Sequence, residues 1–270
     1  MGRLQSDAVG HGLAAKPSNR GTDLHTYAKD NKPGTKPGAN IAILYQNDDF
    51  GKDYPLGVKD VLGEKFDSLV KTVSYEGTDA TIDSQVLELK NAGVEVVITA
   101  ATPKFAAQTI RKIAELGWKP LHFMTNVSIS VGSVITPAGP ENATCLISAA
   151  YLKNPTDATW KDDPGMNQWR TFMAKYMLGA DLTDAGPVFG YGVSYTLWQV
   201  LKQCATDFSW ANIMKQAASL TNLMMPVLLP GITVNTSPTN FHPIRQMQLQ
   251  KWQHKSWKLF GSVLSGAGDM

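Results

Sequence analysis

The stretch IAILYQNDDFGKDY at Ile41–Tyr54 reads as an apolar strand that passes through a short polar turn into a helix. The same order returns in VEVVITAATPKFAAQTIRKIAELGWKP at Val94–Pro120. Two such units close together predict a parallel α/β sheet, because each helix carries the chain back to the edge where the strands begin. Open sheets of this kind hold small ligands at the carboxyl ends of their strands. The loops after the strands are therefore the first place to look for a site.

Beyond these units, the pattern predicts strand–helix alternation to about residue 151, then helices, then a tail rich in strands. The expected strands are Ile41–Tyr45, Leu69–Tyr75, Val94–Thr99, Leu121–Met124, Cys145–Tyr151, Val227–Leu229, Ile232–Val234, Gln246–Trp252 and Trp257–Leu264. The expected helices begin near Gly51–Asp53, Ser84, Lys104, Met166, Val188 and, after an N-cap at Ser209, Trp210. The first of these helices is expected to bury Leu56, Val61, Leu62 and Phe66.

The composition is that of a globular chain of 270 residues with 43% hydrophobic and 18% charged residues. A formal net charge of +2, with both signs interspersed, argues against nucleic acid or an anionic membrane surface as a partner. No apolar run approaches 18 residues, so we expect no membrane insertion. Residues 1–39 are rich in Gly, Pro, Asn and Lys and lack the apolar core of a signal peptide. They are interpreted as an irregular leader.

The sequence contains no pattern of reactive groups typical of an enzyme. The sequence contains neither GxxxxGK[ST] nor a GxGxxG after a strand, so no nucleotide cofactor is expected. It also lacks GxSxG, and its five histidines have no metal-ligand spacing. His122, within a predicted strand, is interpreted as a packed core residue. Cys145 and Cys204 are interpreted as two separate buried thiols rather than a disulfide.

Six segments in order resemble the leucine/isoleucine/valine-binding family of periplasmic solute receptors, the type I Venus flytrap proteins that serve ABC transporters. The matching segments are YQNDDFGKDY (45–54), TIDSQVLELKNAGVEVVI (81–98), TPKFAAQTIRKIAELGWKP (102–120), KDDPGMNQW (161–169), FGYGVSYTLWQVLKQC (189–204) and FHPIRQMQLQKW (241–252). The resemblance extends from about Tyr27 to Gly266.

The resemblance implies two lobes with the ligand between them. Residues 40–150 and 225–265 would form a nearly complete lobe two with a parallel sheet. Residues 151–224 would supply only the last helices of lobe one, since the first strand–helix units of that lobe have no counterpart here. The helices would then expose an apolar face. Hinge connectors are expected near Tyr151–Lys153, Pro187–Tyr191 and Met224–Pro226.

Several residues become candidate ligand contacts through the resemblance. Phe50 matches the position of an aromatic ring against the ligand; the alternative is a hydrophobic staple at the start of the helix. The neighbouring Asp48 and Asp49 are better explained as capping groups than as an acid–base pair. Thr102 either faces the ligand or caps the next helix, and the cap is slightly favoured.

Asn126, Val127 and Tyr191 complete the set of candidate ligand contacts. Near Asn126 and Val127, family members often carry an acidic residue that binds the ammonium group of the ligand. The segment TNVSISVGS (125–133) contains no Asp or Glu. An apolar or aromatic acid therefore stands beside an amino acid as a candidate ligand.

The resulting hypothesis is a solute-binding component of an ABC importer. It would bind a branched-chain or other amino acid, or a small organic acid, in an interlobe cleft, work with permease subunits and perform no chemistry. The resemblance implies a periplasmic location, although this chain has no signal peptide. The alternative hypothesis is a truncated remnant of such a receptor that binds no ligand.

Overall fold

A seven-stranded mixed sheet forms the centre of this computed structural model, which describes residues 40–265 of the chain. The strands are β1 Ile41–Gln46, β2 Val70–Tyr75, β3 Val96–Ala100, β4 Leu121–Met124, β5 Ile147–Ala150, β6 Gln246–Gln253 and β7 Ser256–Ser265. They lie in the order β2-β1-β3-β4-β5-β6-β7. β1 to β5 run parallel, whereas β6 pairs antiparallel with β5 and β7 antiparallel with β6. The predicted α/β class is confirmed.

Helices connect the parallel strands and then continue without strands between them. They are α1 Asp49–Leu62, α2 Phe66–Leu69, α3 Asp83–Asn91, α4 Pro103–Glu115, α5 Thr136–Ala138, α6 Pro164–Tyr176, α7 Gly186–Gln203 and α8 Trp210–Ala217. Short 3₁₀ turns lie at Gly63–Lys65, Asn126–Ser128 and Ala158–Trp160, and a π-helical turn at Val131–Ile135. The expected run of three helices after residue 151 corresponds to α6, α7 and α8.

The sheet is covered on both faces, which explains the continuous apolar runs of β1 and β3. On one face, α3 and α4 pack Val86 and Ile110 against Leu44 and Val97. On the other face, Tyr54 of α1 and Phe66 of α2 join a second apolar cluster. Each fully buried aliphatic side chain stabilises the fold by about 1.5–3 kcal/mol, so these two layers dominate the stability of the sheet.

Two predicted tail strands are wrong. Val227–Leu229 and Ile232–Val234 lie in turns, where they form only isolated bridges of Leu228 with Leu152 and of Val234 with Leu223. Pro226, Pro230 and Gly231 punctuate this segment. Proline lacks the N–H that a ladder needs, so neither apolar run extends into a strand. Both runs instead pack with the helices.

Two burial predictions are also wrong. Leu56 is 59% exposed, because the inward positions of α1 are Gly51, Tyr54 and Gly57. Cys145 is exposed in a turn, with φ of 73°, whereas Cys204 is buried as expected; both are free thiols. Pro140–Thr144 forms the turn before β5, so Cys145 precedes the strand to which the sequence pattern assigned it.

The segment after β5 builds a second packing unit from α6, α7 and α8, called the helical unit below. Met166, Trp169 and Met173 of α6 bury their side chains against Val188 of α7 and Val227. A neighbouring cluster joins α7 and the start of the tail to the end of β5, with Val200, Leu220, Leu228, Leu229, Ile232, Val234 and Ala150 buried. The division into 40–150 with 225–265 and 151–224 stays a prediction, and the leader at 1–39 lies outside the described residues.

His122 is buried in β4, as predicted, beside a fully buried threonine of β3. Its Nε2 lies 2.9 Å from the hydroxyl oxygen of Thr99. Burial penalises the charged imidazolium and lowers the pKa of His122 to about 3. The imidazole is therefore neutral in the folded protein throughout the weakly acidic range.

His122 predicts a loss of stability in acid. The pKa of His122 is near 6.5 in the unfolded chain and lower in the folded protein. As the pH falls below 6.5, the unfolded chain therefore binds a proton that the folded protein does not bind. Between pH 7 and pH 4.5 this linkage removes about 2–3 kcal/mol from the free energy of unfolding. In His122→Gln, whose amide can still bond Thr99, urea denaturation should show a smaller loss over the same range. An equal loss in both proteins would contradict the assignment.

Candidate functional site

Polar side chains gather at the edge of the sheet where the parallel strands end. Gln46 is the last residue of β1 and Tyr75 the last of β2, while Thr102 follows β3. Gln46 Oε1 accepts hydrogen bonds from the hydroxyl of Thr102 at 3.0 Å and from that of Tyr75 at 3.2 Å. Its Nε2 donates to Asp48 Oδ2 at 2.5 Å. One side-chain amide thus connects the ends of three strands.

Tyr75 stays protonated in this network. Burial raises the pKa of Tyr75, and the hydrogen bonds from Thr102 only partly oppose that effect. Its hydroxyl oxygen also accepts the backbone N–H of Thr102 at 3.2 Å. Sequence reasoning missed both Gln46 and Tyr75 as site residues. The available signal was their position, since each is a polar residue at the carboxyl end of a parallel strand.

Thr102 occupies the N-cap position of α4, but its side chain does not cap the helix. The hydroxyl donates to Gln46 instead, so the capping alternative is wrong in its chemistry. Asp48, in contrast, caps α1 as expected, because its Oδ1 accepts the N–H of Gly51 at 2.8 Å. At Gly51 a Cβ atom would lie 1.9 Å from the carbonyl oxygen of Gln46. Only glycine lets α1 begin this close to the end of β1.

Phe50 lies at the second position of α1, partly buried. Its ring meets that of Tyr54 edge to face, with 5.6 Å between the centroids. The hydrophobic-staple alternative does not apply, because a staple joins the positions of Asn47 and Lys52 here, and neither is apolar. Tyr54 is itself fixed: its hydroxyl shares a hydrogen bond with Thr125 after β4, and burial raises its pKa. Phe50 is therefore supported by a rigid neighbour.

Asn126 and Val127 form the 3₁₀ turn after β4. The turn is tied to the end of β3, since the Ser128 hydroxyl donates to the carbonyl of Ala101 at 2.5 Å. Among residues 40–265, Asn126 Oδ1 is a buried acceptor without a hydrogen-bond partner. Buried acceptors in native proteins are nearly always satisfied. The amide oxygen of Asn126 is accordingly a candidate acceptor for a ligand N–H or O–H group.

Tyr191 belongs to the helical unit rather than to this edge. It lies within α7, packs beside Met166 and Val188, and contacts the rings of Phe172 and Tyr195. Burial raises the pKa of its hydroxyl. Because α7 begins at Gly186, the expected hinge connector at Pro187–Tyr191 is wrong: its backbone bonds are those of a helix. The contacts described above do not join Tyr191 to Phe50, Thr102, Asn126 or Val127.

The loop before α7 forms hydrogen bonds to the sheet unit, which comprises β1 to β7 and helices α1 to α5. Asp184 Oδ1 accepts a hydrogen bond from the Ser130 hydroxyl at 2.8 Å, and Ser130 Oγ accepts the N–H of Ala185 at 3.1 Å. The N–H of Gly132 donates to the carbonyl of Thr183 at 3.2 Å. A Cβ atom at Gly132 would meet Thr183 Oγ1 at 2.6 Å. The helical unit thus approaches the turns that follow β4 at backbone distance.

Two chain segments cross side by side between the units. The N–H of Lys153 donates to the carbonyl of Val227, and the N–H of Leu229 to that of Tyr151, each at 2.9 Å. The ammonium of Lys153 donates to Asp163 Oδ1 and to the carbonyl of Pro226, both at 2.8 Å. A lysine with little exposure thus joins both crossing segments to the N-cap of α6.

Within residues 40–265, no cluster of three His, Cys, Asp or Glu side chains is arranged to hold a metal ion. The helices of this range are also too short or too polar to cross a membrane.

The comparisons with known proteins agree with this architecture. A family model described as periplasmic binding protein matches residues 9–256. This chain therefore belongs to the periplasmic binding protein family, and the resemblance found in the sequence is confirmed. A search of curated proteins gave no significant match.

Solved structures share the fold at low sequence identity. A branched-chain amino acid ABC transporter protein from Thermus thermophilus, with bound valine, superposes with a TM-score of 0.71 at 14% identity. The match covers 96% of this chain and 66% of that one. A fatty acid ABC transporter substrate-binding protein from Thermomonospora curvata gives 0.69 at 18% identity, with 92% and 62% covered. The chain thus spans about two thirds of the length of these proteins, and a partial Venus flytrap fold is confirmed.

The crossing segments generate a stability prediction for Asp163→Asn, which keeps an N-cap for α6 but removes the charge paired with Lys153. Burial alone would raise the pKa of Asp163, but the bond from Lys153 and the N–H of Met166 bring it below the ordinary value. Leaving the lysine charge unpaired should lower the free energy of unfolding at pH 7 by about 2–3 kcal/mol. Urea denaturation of both proteins at pH 7 measures this difference in the free energy of unfolding.

The same substitution has a pH signature. Because the folded-state pKa of Asp163 is depressed, its contribution is complete above the unfolded-state pKa, near 3.8, and is lost as pH falls through the folded-state value. The difference between wild type and Asp163→Asn should therefore shrink towards pH 3. The exposed neighbour offers a matched control, Asp162→Asn, which should change little at either pH. A pH-independent difference would argue against the ion pair.

Proposed function

We propose that this chain is the solute-binding component of an ABC importer and holds a small amino acid or organic acid without reacting with it. The ligand would lie between the carboxyl edge of the sheet and the helical unit, and ABC permease subunits would receive it. Membership of the periplasmic binding protein family supports the function class and a periplasmic location. The similar solved structures include one with bound valine and a fatty acid ABC transporter substrate-binding protein, which supports small carboxylates as ligands.

The observation that carries the proposal is the convergence of fixed polar groups at one sheet edge. Gln46, Tyr75 and Thr102 hold one another in place, and Asn126 adds a buried acceptor that lacks a donor. Phe50 supplies an aromatic surface, held by Tyr54, for an apolar part of the ligand. Few, well-placed polar groups beside an apolar wall are typical of small-molecule sites.

Closure would occur by rotation about the crossing segments Tyr151–Lys153 and Met224–Pro226. The hydrogen bond from Ser130 to Asp184, at 2.8 Å, supports this motion, because it joins the loop before α7 to the turn after β4. A ligand that bridges both units adds contacts available only in the closed state, and so shifts the population towards closure. Tyr191 would follow the helical unit in this motion.

The second candidate function is a non-binding remnant. One observation favours it: the helices after β5 expose large apolar side chains, among them Leu197 and Trp198. A thermal-shift screen of amino acids and aromatic acids separates the two functions, because a ligand that binds only the folded chain raises the melting temperature. Absence of any shift across the screen would favour the remnant.

Combined substitution of Phe50→Ala and Thr102→Ala tests the proposed contacts. Loss of an aromatic surface and one hydrogen bond should weaken binding of the best ligand from the screen by about 2 kcal/mol, or roughly 30-fold. Calorimetry measures the affinity, and circular dichroism should show an unchanged fold. Phe208→Ala with Thr144→Ala is the control pair, because both residues are exposed, with Thr144 before the amino end of β5 and Phe208 between α7 and α8. Equal affinities in all three proteins would remove these residues from the site.

Asn126→Leu tests whether the unpaired acceptor recognises an amino group. The substitution removes the amide oxygen at similar volume, so binding of valine should weaken by about 1–2 kcal/mol, roughly 5- to 30-fold. Binding of 3-methylbutanoate, which has the same carbon skeleton without the amino group, should change much less. A parallel loss for both compounds would mean that Asn126 acts through the shape of its turn instead.

A further inference from the structure

One carboxylate oxygen lies at the centre of the contact between the helical unit and the turns after β4. Asp184 Oδ1 accepts hydrogen bonds from the hydroxyl of Ser130 at 2.8 Å and from that of Ser133 at 3.4 Å. The same oxygen accepts the N–H of Gly186, the first residue of α7, at 2.9 Å. A single side chain therefore joins the start of α7 to the sheet unit.

Backbone groups of both units reinforce this contact. The N–H of Gly132, in the sheet unit, donates to the carbonyl of Thr183 at 3.2 Å. In the opposite direction, the N–H of Ala185 donates to Ser130 Oγ at 3.1 Å. Ser130 is only 4% exposed, and hydrogen bonds shielded from water are electrostatically stronger. Because each unit supplies both donors and acceptors, the contact holds the two units in one relative position.

The turn and the loop are both shaped for a close approach. At Gly132 a Cβ atom would lie 2.6 Å from Thr183 Oγ1 and 3.2 Å from the backbone nitrogen of Asp184, so a larger residue would push the loop away. Asp181 folds the loop from within, since its Oδ1 accepts the N–H and the hydroxyl of Thr183 at 2.8 and 2.7 Å. A preformed loop loses little conformational freedom when it docks. We use the name latch for four of these residues: Ser130, Gly132, Ser133 and Asp184.

The latch is polar, whereas the crossing segments pack through apolar side chains. Leu152 and Leu228 bridge each other and belong to a buried cluster that includes Val200 of α7. Separating that cluster would expose its apolar surface to water. Asp184 is only partly buried, so water can replace the bonds it accepts, and each bond has a modest net free energy. The latch can therefore open while the crossing segments stay packed.

We propose that the latch holds the helical unit against the sheet unit before a ligand binds, and that it thereby sets the ligand affinity. The turn that carries Ser130 follows directly after the 3₁₀ turn of Asn126 and Val127. The latch thus fixes the helical unit beside candidate ligand contacts without using them. A ligand that needs the joined state binds in proportion to the fraction of molecules in that state. The effect on affinity rests on the function proposed above, whereas the joining of the units does not.

Two amides report on the latch without any ligand. The N–H groups of Gly132 and Ala185 are each bonded to the other unit, so they exchange with deuterated water when the latch opens. Asp184→Ala removes the shared acceptor from the helical unit. The N–H of Gly132, on the opposite unit, should then exchange roughly 10-fold faster or more than in the wild type. Residue-resolved NMR on the complete chain measures both exchange rates.

Gly132→Leu opens the latch by a different route, because the added side chain displaces the loop while Asp184 stays in place. The N–H of Ala185 should exchange faster by a comparable factor. Asp207→Ala is the matched control, since Asp207 is an exposed aspartate whose Oδ1 accepts the N–H of Ser209 at 2.9 Å within the helical unit. It should leave both reporting amides at the wild-type rate. Far-UV circular dichroism establishes that the three variants keep their helices.

Calorimetry with valine measures the effect on affinity. Asp184→Ala should weaken valine binding by roughly 2- to 10-fold, because fewer molecules are joined. Unchanged exchange in both Asp184→Ala and Gly132→Leu, or faster exchange in Asp207→Ala as well, would overturn the latch even if valine binds. Faster exchange with an unchanged valine affinity would overturn its role in affinity. A wild type that binds no valine, together with faster exchange in both variants, would support the latch and count against the proposed function.

Discussion

The parallel ladder between β1 and β3 is the constraint on which the remaining structure depends. Ile41 to Tyr45 align with Val96 to Ala100 in register, so both strands end at the same edge. Parallel strands need a covered crossover on each side, and α1, α3 and α4 supply it by burying both faces. Because β1 to β4 run parallel, the polar groups that follow them lie at this same edge of the sheet. Fold and candidate site therefore have a common origin.

The elements of this ladder were predictable because their information is local. The apolar runs of β1 and β3, and the amphipathic spacing of α4, each lie within one segment. The segment around Val227 and Val234 was not predictable in the same way. Its apolar residues resemble strands, but prolines limit them to isolated bridges and the helices decide where they pack. Tertiary contacts override a short apolar pattern.

The candidate site was only partly visible in the sequence for a related reason. Thr102 was identified, yet its hydroxyl bonds Gln46 rather than the helix, which depends on a residue 56 positions earlier. Gln46 and Tyr75 acquire their meaning from each other across two strands. Asn126 was identified by position, but its buried acceptor is a property of the folded turn. The sequence identifies the sheet edge where the site lies. The hydrogen-bond network at that edge is apparent only in the folded structure.

Cys145 has a practical consequence for following motion in this molecule. It is the more accessible of only two thiols, since Cys204 is buried, and no disulfide engages either. It precedes β5 and so sits at the amino end of that strand, on the side of the sheet opposite the candidate site. A maleimide dye would therefore attach at one place in the unaltered chain, away from the candidate site. With a second label on an engineered cysteine in α7, the distance between the sheet unit and the helical unit could be measured.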